Sequence, residues 1–186
     1  MQLYGACGRP PEFGDIAVAS GISPERVATI LRSLQSHDLV TLDQACKQIR
    51  LAYPFTESVT GHRVKLNGHT LHAVCAIDAL GVADMYGADI AISSPCIHCG
   101  KTIHVRTASK GSAVQSFSPS GAVIWYDFAY DGSAATSCCP AIAFFCSDQH
   151  LQQWFEAQTA RREGIRLTMD EALEVSRAIF GPVLER

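Results

Sequence analysis

The sequence predicts an α+β fold in which a winged-helix-like module precedes a mixed β-sheet framed by helices. Apolar residues recur at helical spacing within residues 12–36 and again near the end of the chain, whereas much of the intervening sequence alternates with a period of two. Hydrophobic residues make up 47% of the chain, enough to build a core without disulfide bonds. We expect the helical module to span residues 1–56 and the sheet domain to span residues 57–186.

The N-terminal module shows the order helix, turn, helix and hairpin. Ser23 is a favourable N-cap and Pro24 suits the first position of the second helix. This order is typical of winged helices, which either bind DNA or serve as packing modules. The second helix carries no cluster of Lys and Arg, and the formal net charge of the chain is −3. We therefore expect no nucleic-acid partner, because phosphate contacts require clustered basic residues.

The predicted sheet domain begins with a β-hairpin, since Asn67-Gly68 separates two alternating stretches. An apolar helix follows and ends near Gly87. Three further strands are predicted at "DIAISSPC", "KTIHVRTAS" and "AVIWYDFAY". Two helices complete the domain, and their start and stop signals are Ser147 for the first, and Thr168, Glu171, Gly181 and Pro182 for the second.

The cysteines are expected to be reduced thiols, because the chain has no need of disulfide bonds and is expected in a reducing compartment. No apolar run reaches the roughly 18 residues that span a bilayer, and the first ten residues lack the features of a signal peptide. We therefore expect a cytoplasmic protein without membrane contact, whose cysteines are buried apolar residues, metal ligands or reactive thiols. The eight cysteines are Cys7, Cys46, Cys75, Cys96, Cys99, Cys138, Cys139 and Cys146. Burial without a chemical role is expected for Cys46, Cys75 and Cys146.

The segment "PCIHCG" places Cys96 and Cys99 at the spacing of half a zinc site. A zinc site usually takes its other two ligands from a second such pair, but Cys138 and Cys139 are adjacent. A thioredoxin-like redox pair would precede a helix, whereas a strand-like segment follows here. In a third interpretation, Cys96 and Cys138 are separate thiols that converge on a soft metal. These residues alone leave the three interpretations open.

Two longer motifs resemble the alkylmercury lyases, or organomercurial lyases. The motifs are "HAVCAIDALGVADMYGADIAISSPC" and "SCCPAIAFFCSDQHLQQWF", and the similarity covers roughly residues 60–183. The resemblance implies protonolysis of carbon–mercury bonds in organomercurials, which yields a hydrocarbon and Hg(II) without an organic cofactor. It also implies that Hg(II) passes to low-molecular-weight cellular thiols or to a mercuric reductase.

The resemblance further implies a set of site residues. By position, Cys96 and Cys138 match the two cysteines that bind mercury. Cys99 stands three residues after the first of them, where an aspartate is expected, so the chain is interpreted as a divergent member. We expect Cys99 to replace the acid in part, as a proton donor or as a third sulfur ligand. Asp78, inside an apolar helix, is expected to be a structural residue, and so is Cys75.

A competing hypothesis assigns the same thiols to a protein without lyase activity. Such a metal-binding or metal-sensing protein would hold zinc, copper or mercury. Its ligands would be Cys96, Cys99 and Cys138, with Cys139 as an optional fourth.

Overall fold

The computed structural model describes residues 2–45 and 47–181 and has the predicted α+β architecture. The expectations for Cys46 and Pro182 lie outside the described residues. The helices are α1 (Gln2–Cys7), α2 (Phe13–Ser20), α3 (Pro24–Ser36), α4 (Ala76–Tyr86), α5 (Asp148–Glu156) and α6 (Met169–Phe180). The strands are β1 (Val40–Leu42), β2 (Ile49–Ala52), β3 (Phe55–Thr56), β4 (Arg63–Leu66), β5 (His69–Ala73), β6 (Ala91–Pro95), β7 (Thr102–Ala108), β8 (Ala113–Ser118), β9 (Val123–Asp127), β10 (Ala143–Phe145) and β11 (Gly164–Leu167).

The N-terminal segment folds in the predicted order of helix, turn, helix and hairpin. Gly21 ends α2 in the left-handed region with φ 68°, and the Ser23 side chain accepts a hydrogen bond from the Arg26 N–H at the start of α3. Strands β1 and β2 pair as an antiparallel hairpin. The hairpin is not free-standing, because β3 pairs with both β2 and β5 and so joins it to the main sheet.

The described strands form two antiparallel sheets, which corrects the prediction of a mixed sheet. The larger has the order β1-β2-β3-β5-β4-β6-β7-β8, and the smaller has the order β10-β9-β11. Strands β5 and β6 run in the same direction and are joined by α4, as expected of a helical crossover. They do not pair with each other because β4 lies between them and is antiparallel to both.

Helix α4 is the centre of the main core. Only Asp84 and Tyr86 among its 11 residues are not fully buried. Gly81 allows α6 to approach closely, since a Cβ atom there would lie 2.2 Å from Cδ2 of Phe180. None of the helices in the described part of the chain has the length and apolar character that a membrane crossing requires.

We predict that Gly81→Ala destabilises the protein by about 1–3 kcal/mol, because the methyl group must displace the Phe180 ring. Gly14→Ala in α2 is the matched control, since a Cβ atom at Gly14 would meet no atom within 4 Å. The control should be neutral, or more stable by up to about 1 kcal/mol through helix propensity. Urea unfolding of both variants measures the difference, and equal midpoints would contradict the close packing of α4 on α6.

Candidate functional site

Six of the seven described cysteines, together with Asp78 and His150, form two clusters. The cavity cluster consists of Cys75, Asp78, Cys138 and Cys139, which all line one large cavity. The knuckle cluster consists of Cys96, Cys99, Cys146 and His150, whose ligand atoms all lie within 4.8 Å of one another. The structure thus brings Cys96 and Cys99 together but places Cys138 in the other cluster, beside two residues that sequence reasoning regarded as structural.

The start of α4 positions two members of the cavity cluster. Cys75 is the N-cap, and its sulfur accepts a hydrogen bond from the Asp78 N–H at 3.4 Å. The next residue, Ala76, donates its N–H to the carbonyl of Ile142 at 3.1 Å, which fixes the helix start against the loop before β10. Asp78 therefore projects from the first turn, where the helix dipole favours a carboxylate.

The loop before β10 carries the other two members. The Cys139 N–H donates to the Ala134 carbonyl at 2.9 Å, and the Ile142 N–H donates to the Cys138 carbonyl at 3.1 Å. The N-terminal segment holds this loop from the other side, since Asp38 Oδ2 accepts the Ala134 N–H at 2.7 Å. Cys139 is buried, and its sulfur lies 4.0 Å from Asp78 Oδ2, whereas Cys138 is only half-buried.

The cavity has a volume of about 530 Å³ and walls that are mostly apolar. It lies where the N-terminal segment, the start of α4, the loop before β10 and the end of α6 meet. Its apolar lining includes Leu34, Val40, Ile77, Met85, Ile142 and Phe180. Apart from the cavity cluster, polar groups enter from Asp38, Tyr53 and Tyr126. Such a mostly apolar chamber with a few convergent polar groups is typical of a small-molecule site.

Burial raises the pKa values of Asp78, Cys75 and Cys138, so these three groups stay protonated to unusually high pH. Desolvation raises the pKa of Asp78 from 3.8 to about 7, against the lowering effect of hydrogen bonds from Cys75. Burial and the neighbouring Cys139 raise the pKa of Cys138 to about 11. The pKa of Cys75 is also raised well above the ordinary thiol value, chiefly by burial. At neutral pH the free site therefore holds thiol protons beside a carboxyl group that can both give and take a proton.

The knuckle cluster occupies a different environment. Cys96 is buried with its sulfur 3.6 Å from His150 Nδ1, and Cys99 is exposed with its sulfur 3.9 Å from that of Cys146. Neither Cys96 nor Cys99 lines the apolar cavity described above. This cluster therefore offers metal ligands away from that cavity.

The sequence also contains a second match to the spacing that the resemblance implies. The resemblance requires an acid three residues after a cysteine, and Cys75 and Asp78 have that spacing inside the motif "HAVCAIDAL". Choosing Cys96 instead put Cys99 in the place of the acid. In the structure, Asp78 is buried beside the thiols of Cys75 and Cys139 at the cavity, whereas Cys96 and Cys99 do not line it.

Comparison with known proteins gives consistent relationships. The family model for alkylmercury lyase matches residues 55–181. The alkylmercury lyase of Staphylococcus epidermidis is 31% identical over 171 residues, which cover 91% of this chain and 74% of that protein. The alkylmercury lyase of Bacillus cereus is 28% identical over 173 residues, covering 92% and 75%. The crystal structure of the mercury-bound form of MerB2 superposes with a TM-score of 0.80 at 24% identity, covering 96% of this chain and 85% of that one, and it shares the fold.

Proposed function

The chain belongs to the alkylmercury lyase family, and we propose that it cleaves the carbon–mercury bond of organomercurials by protonolysis at the cavity cluster. The observation that carries the assignment to this cluster is the placement of Asp78. Its carboxylate lies within 4.8 Å of the sulfurs of Cys75 and Cys139, on the wall of an apolar cavity. The site thus joins soft sulfur ligands, a proton donor and room for an organic group.

Binding begins with exchange of a thiol for the ligand that accompanies the mercury. The half-buried thiol of Cys138 is the more accessible one, so it attacks first, and its proton leaves with the displaced ligand. The organic group then enters the apolar part of the cavity. Thiolates are the preferred ligands of a soft metal. The free energy of mercury binding therefore offsets the cost of deprotonating these thiols, whose pKa values are raised.

The second thiol prepares the bond for cleavage. Cys75 transfers its proton to the Asp78 carboxylate and binds mercury as a thiolate, so that two sulfurs donate electron density to the metal. The electron pair of the carbon–mercury bond then takes the proton from Asp78. One hydrocarbon forms, and Hg(II) stays bound to the two thiolates, so that charge and protons balance.

The same chemistry sets what the enzyme requires from its surroundings. Cysteine side chains supply the ligands and a carboxyl group moves the proton, so we propose that no organic cofactor takes part. Reduced cellular thiols in the cytoplasm can remove the product by exchange, because Hg(II) passes readily between sulfur ligands. A mercuric reductase is the class of enzyme that would accept it.

We also propose that residues 1–56 form a winged-helix-like module and residues 57–186 a catalytic domain. The order of elements supports the first part, as does a small separate core that includes Val27, Leu31, Leu42 and Ile49. Leu34, Asp38 and Val40 line the cavity, so this module closes one side of the site.

Two neighbouring cysteines test the proposed roles of the thiols. Cys138→Ser should lower benzene release from phenylmercury roughly 100-fold, because a serine hydroxyl is a poor ligand for a soft metal. Cys139→Ser should lower it less than about tenfold, because Cys139 adjoins Asp78 without being the accessible thiol. The assay contains excess low-molecular-weight thiol and measures benzene. Absence of benzene release by the wild type would contradict the lyase function, and the reverse order of the variants would reassign the first mercury ligand from Cys138 to Cys139.

A further inference from the structure

We propose that the knuckle cluster is a structural zinc site, in which the thiolates of Cys96, Cys99 and Cys146 and the imidazole of His150 bind one Zn²⁺ ion. This site is separate from the cavity cluster and does not depend on the proposed lyase mechanism. Three cysteines and one histidine are one of the standard ligand sets of structural zinc.

The distances within the cluster match the edges of a zinc tetrahedron. With ordinary zinc–ligand bond lengths, two sulfurs lie about 3.8 Å apart, and a sulfur and a nitrogen lie about 3.6 Å apart. The sulfurs of Cys99 and Cys146 are 3.9 Å apart, and the Cys96 sulfur is 3.6 Å from His150 Nδ1. All four ligand atoms lie within 4.8 Å of one another. The ligands therefore need only small adjustments to close around an ion.

The turn between β6 and β7 presents two of the ligands. The Cys96 N–H donates to the Lys101 carbonyl at 2.8 Å, and the Gly100 N–H donates to the Cys96 carbonyl at 2.8 Å. Gly100 has φ 75°, which the tight turn requires. The backbone of Lys101 also hydrogen-bonds to the Cys99 sulfur. Such N–H donors stabilise thiolates, so the turn is prepared for charged sulfur ligands.

The junction between β10 and α5 presents the other two. Cys146 directly follows β10, and its N–H donates to the Cys96 sulfur at 3.4 Å. Ser147 caps α5 and accepts the His150 N–H at 3.3 Å, which places His150 in the first turn of the helix. Backbone hydrogen bonds within each half, and the bond from the Cys146 N–H to the Cys96 sulfur between them, thus position the ligands before any ion binds.

The position of the cluster indicates a structural role. Its two halves come from different sheets, since β6 and β7 belong to the larger sheet and β10 to the smaller one. Four protein ligands complete a tetrahedron, which leaves no position for a substrate, unlike a catalytic zinc site. A bound ion would tie the two sheets together and add its binding free energy to folding.

Metal analysis of the protein purified without chelator tests the site. Wild type should contain about one zinc per chain, and Cys99→Ser should contain at least about tenfold less. Cys99 is exposed, so its substitution by serine disturbs no packing of the core apart from the loss of the ion. Exposed Cys7 and buried Cys139 provide control variants, Cys7→Ser and Cys139→Ser, which should keep the zinc. His150→Cys preserves four soft ligands and should also keep it.

Cobalt(II) substitution gives a second measurement that needs no organomercurial. Wild type and Cys139→Ser should show the strong absorption of tetrahedral cobalt thiolate, and Cys99→Ser should lose it. The proposal is overturned if wild type binds neither zinc nor cobalt at one ion per chain, or if Cys139→Ser loses the ion while Cys99→Ser retains it. Neither result bears on whether phenylmercury is cleaved, so the two functions are tested separately.

Discussion

Cys75→Ser should abolish benzene release from phenylmercury while the protein remains folded. The expected loss is roughly 100-fold or more, because the second sulfur ligand is replaced by a hard oxygen and the bond is no longer prepared for protonation. The fold should persist because Cys75 is the N-cap of α4, and serine is a better N-cap than cysteine. Thermal unfolding of the variant should therefore match the wild type within a few degrees.

Two comparisons make this result specific to the cavity cluster. Cys7→Ser changes an exposed cysteine in α1 and should leave activity unchanged. Cys96→Ser changes the residue that sequence reasoning had assigned to mercury. We expect the folded Cys96→Ser protein to cleave phenylmercury as the wild type does, but to contain no zinc. Loss of activity in folded Cys96→Ser together with an active Cys75→Ser would move the reaction to the knuckle cluster.

The fold was predictable wherever local signals and burial agree. Ser23, Ser147 and Thr168 cap the helices for which they were proposed, and Asn67-Gly68 forms the turn between β4 and β5. Strand β8 was missed because its residues are mostly exposed and give no apolar alternation. Pairing with β7 stabilises β8, although the sequence of β8 alone does not predict a strand.

The site was less predictable because its parts meet only in three dimensions. Sequence alone could identify "CAID" as an apolar helix start, but not that α6 and the N-terminal segment leave a cavity in front of it. The second half of the zinc site was hidden for the same reason. Cys146 and His150 lie 47 and 51 residues after Cys99, and only the approach of β10 to the β6–β7 turn brings them together.

Asp78→Asn should separate catalysis from stability, because the same carboxyl group affects them in opposite directions. As the proton donor, Asp78 is expected to account for roughly 100- to 10,000-fold in the cleavage rate. Its asparagine replacement has a similar shape but no transferable proton, so single-turnover cleavage should fall by that factor. In the wild type, the rate should decline as pH falls below about 7, because Asp78 is then already protonated and cannot take the proton of Cys75.

The effect on stability has the opposite sign. Burial raises the pKa of Asp78 from 3.8 in the unfolded chain to about 7 in the native state. Between these values the native protein holds a proton that the unfolded chain has released, so stability falls as pH rises through this window. The full loss above it is on the order of 4 kcal/mol. Asparagine never ionises, so the variant should unfold at a higher temperature than wild type at pH 8, by a margin that shrinks toward pH 5.

Asp170→Asn provides the matched control, since Asp170 also lies in the first turn of a helix but is exposed. It should change neither the cleavage rate nor the pH dependence of unfolding. Single-turnover assays and thermal unfolding between about pH 5 and pH 8 measure both properties on the same samples.

An Asp78→Asn variant that cleaves phenylmercury at the wild-type rate would show that another group supplies the proton. A variant that is inactive but no more stable than wild type at pH 8 would show that neighbouring groups in the native state offset the desolvation cost of the ionised Asp78. The proposal requires both the loss of cleavage and the gain in stability at pH 8. A buried acid that is free to reach the carbon–mercury bond has no partner for its charge, so its ionisation carries a desolvation cost. A structural carboxylate would avoid that cost by pairing with a cation or with hydrogen-bond donors.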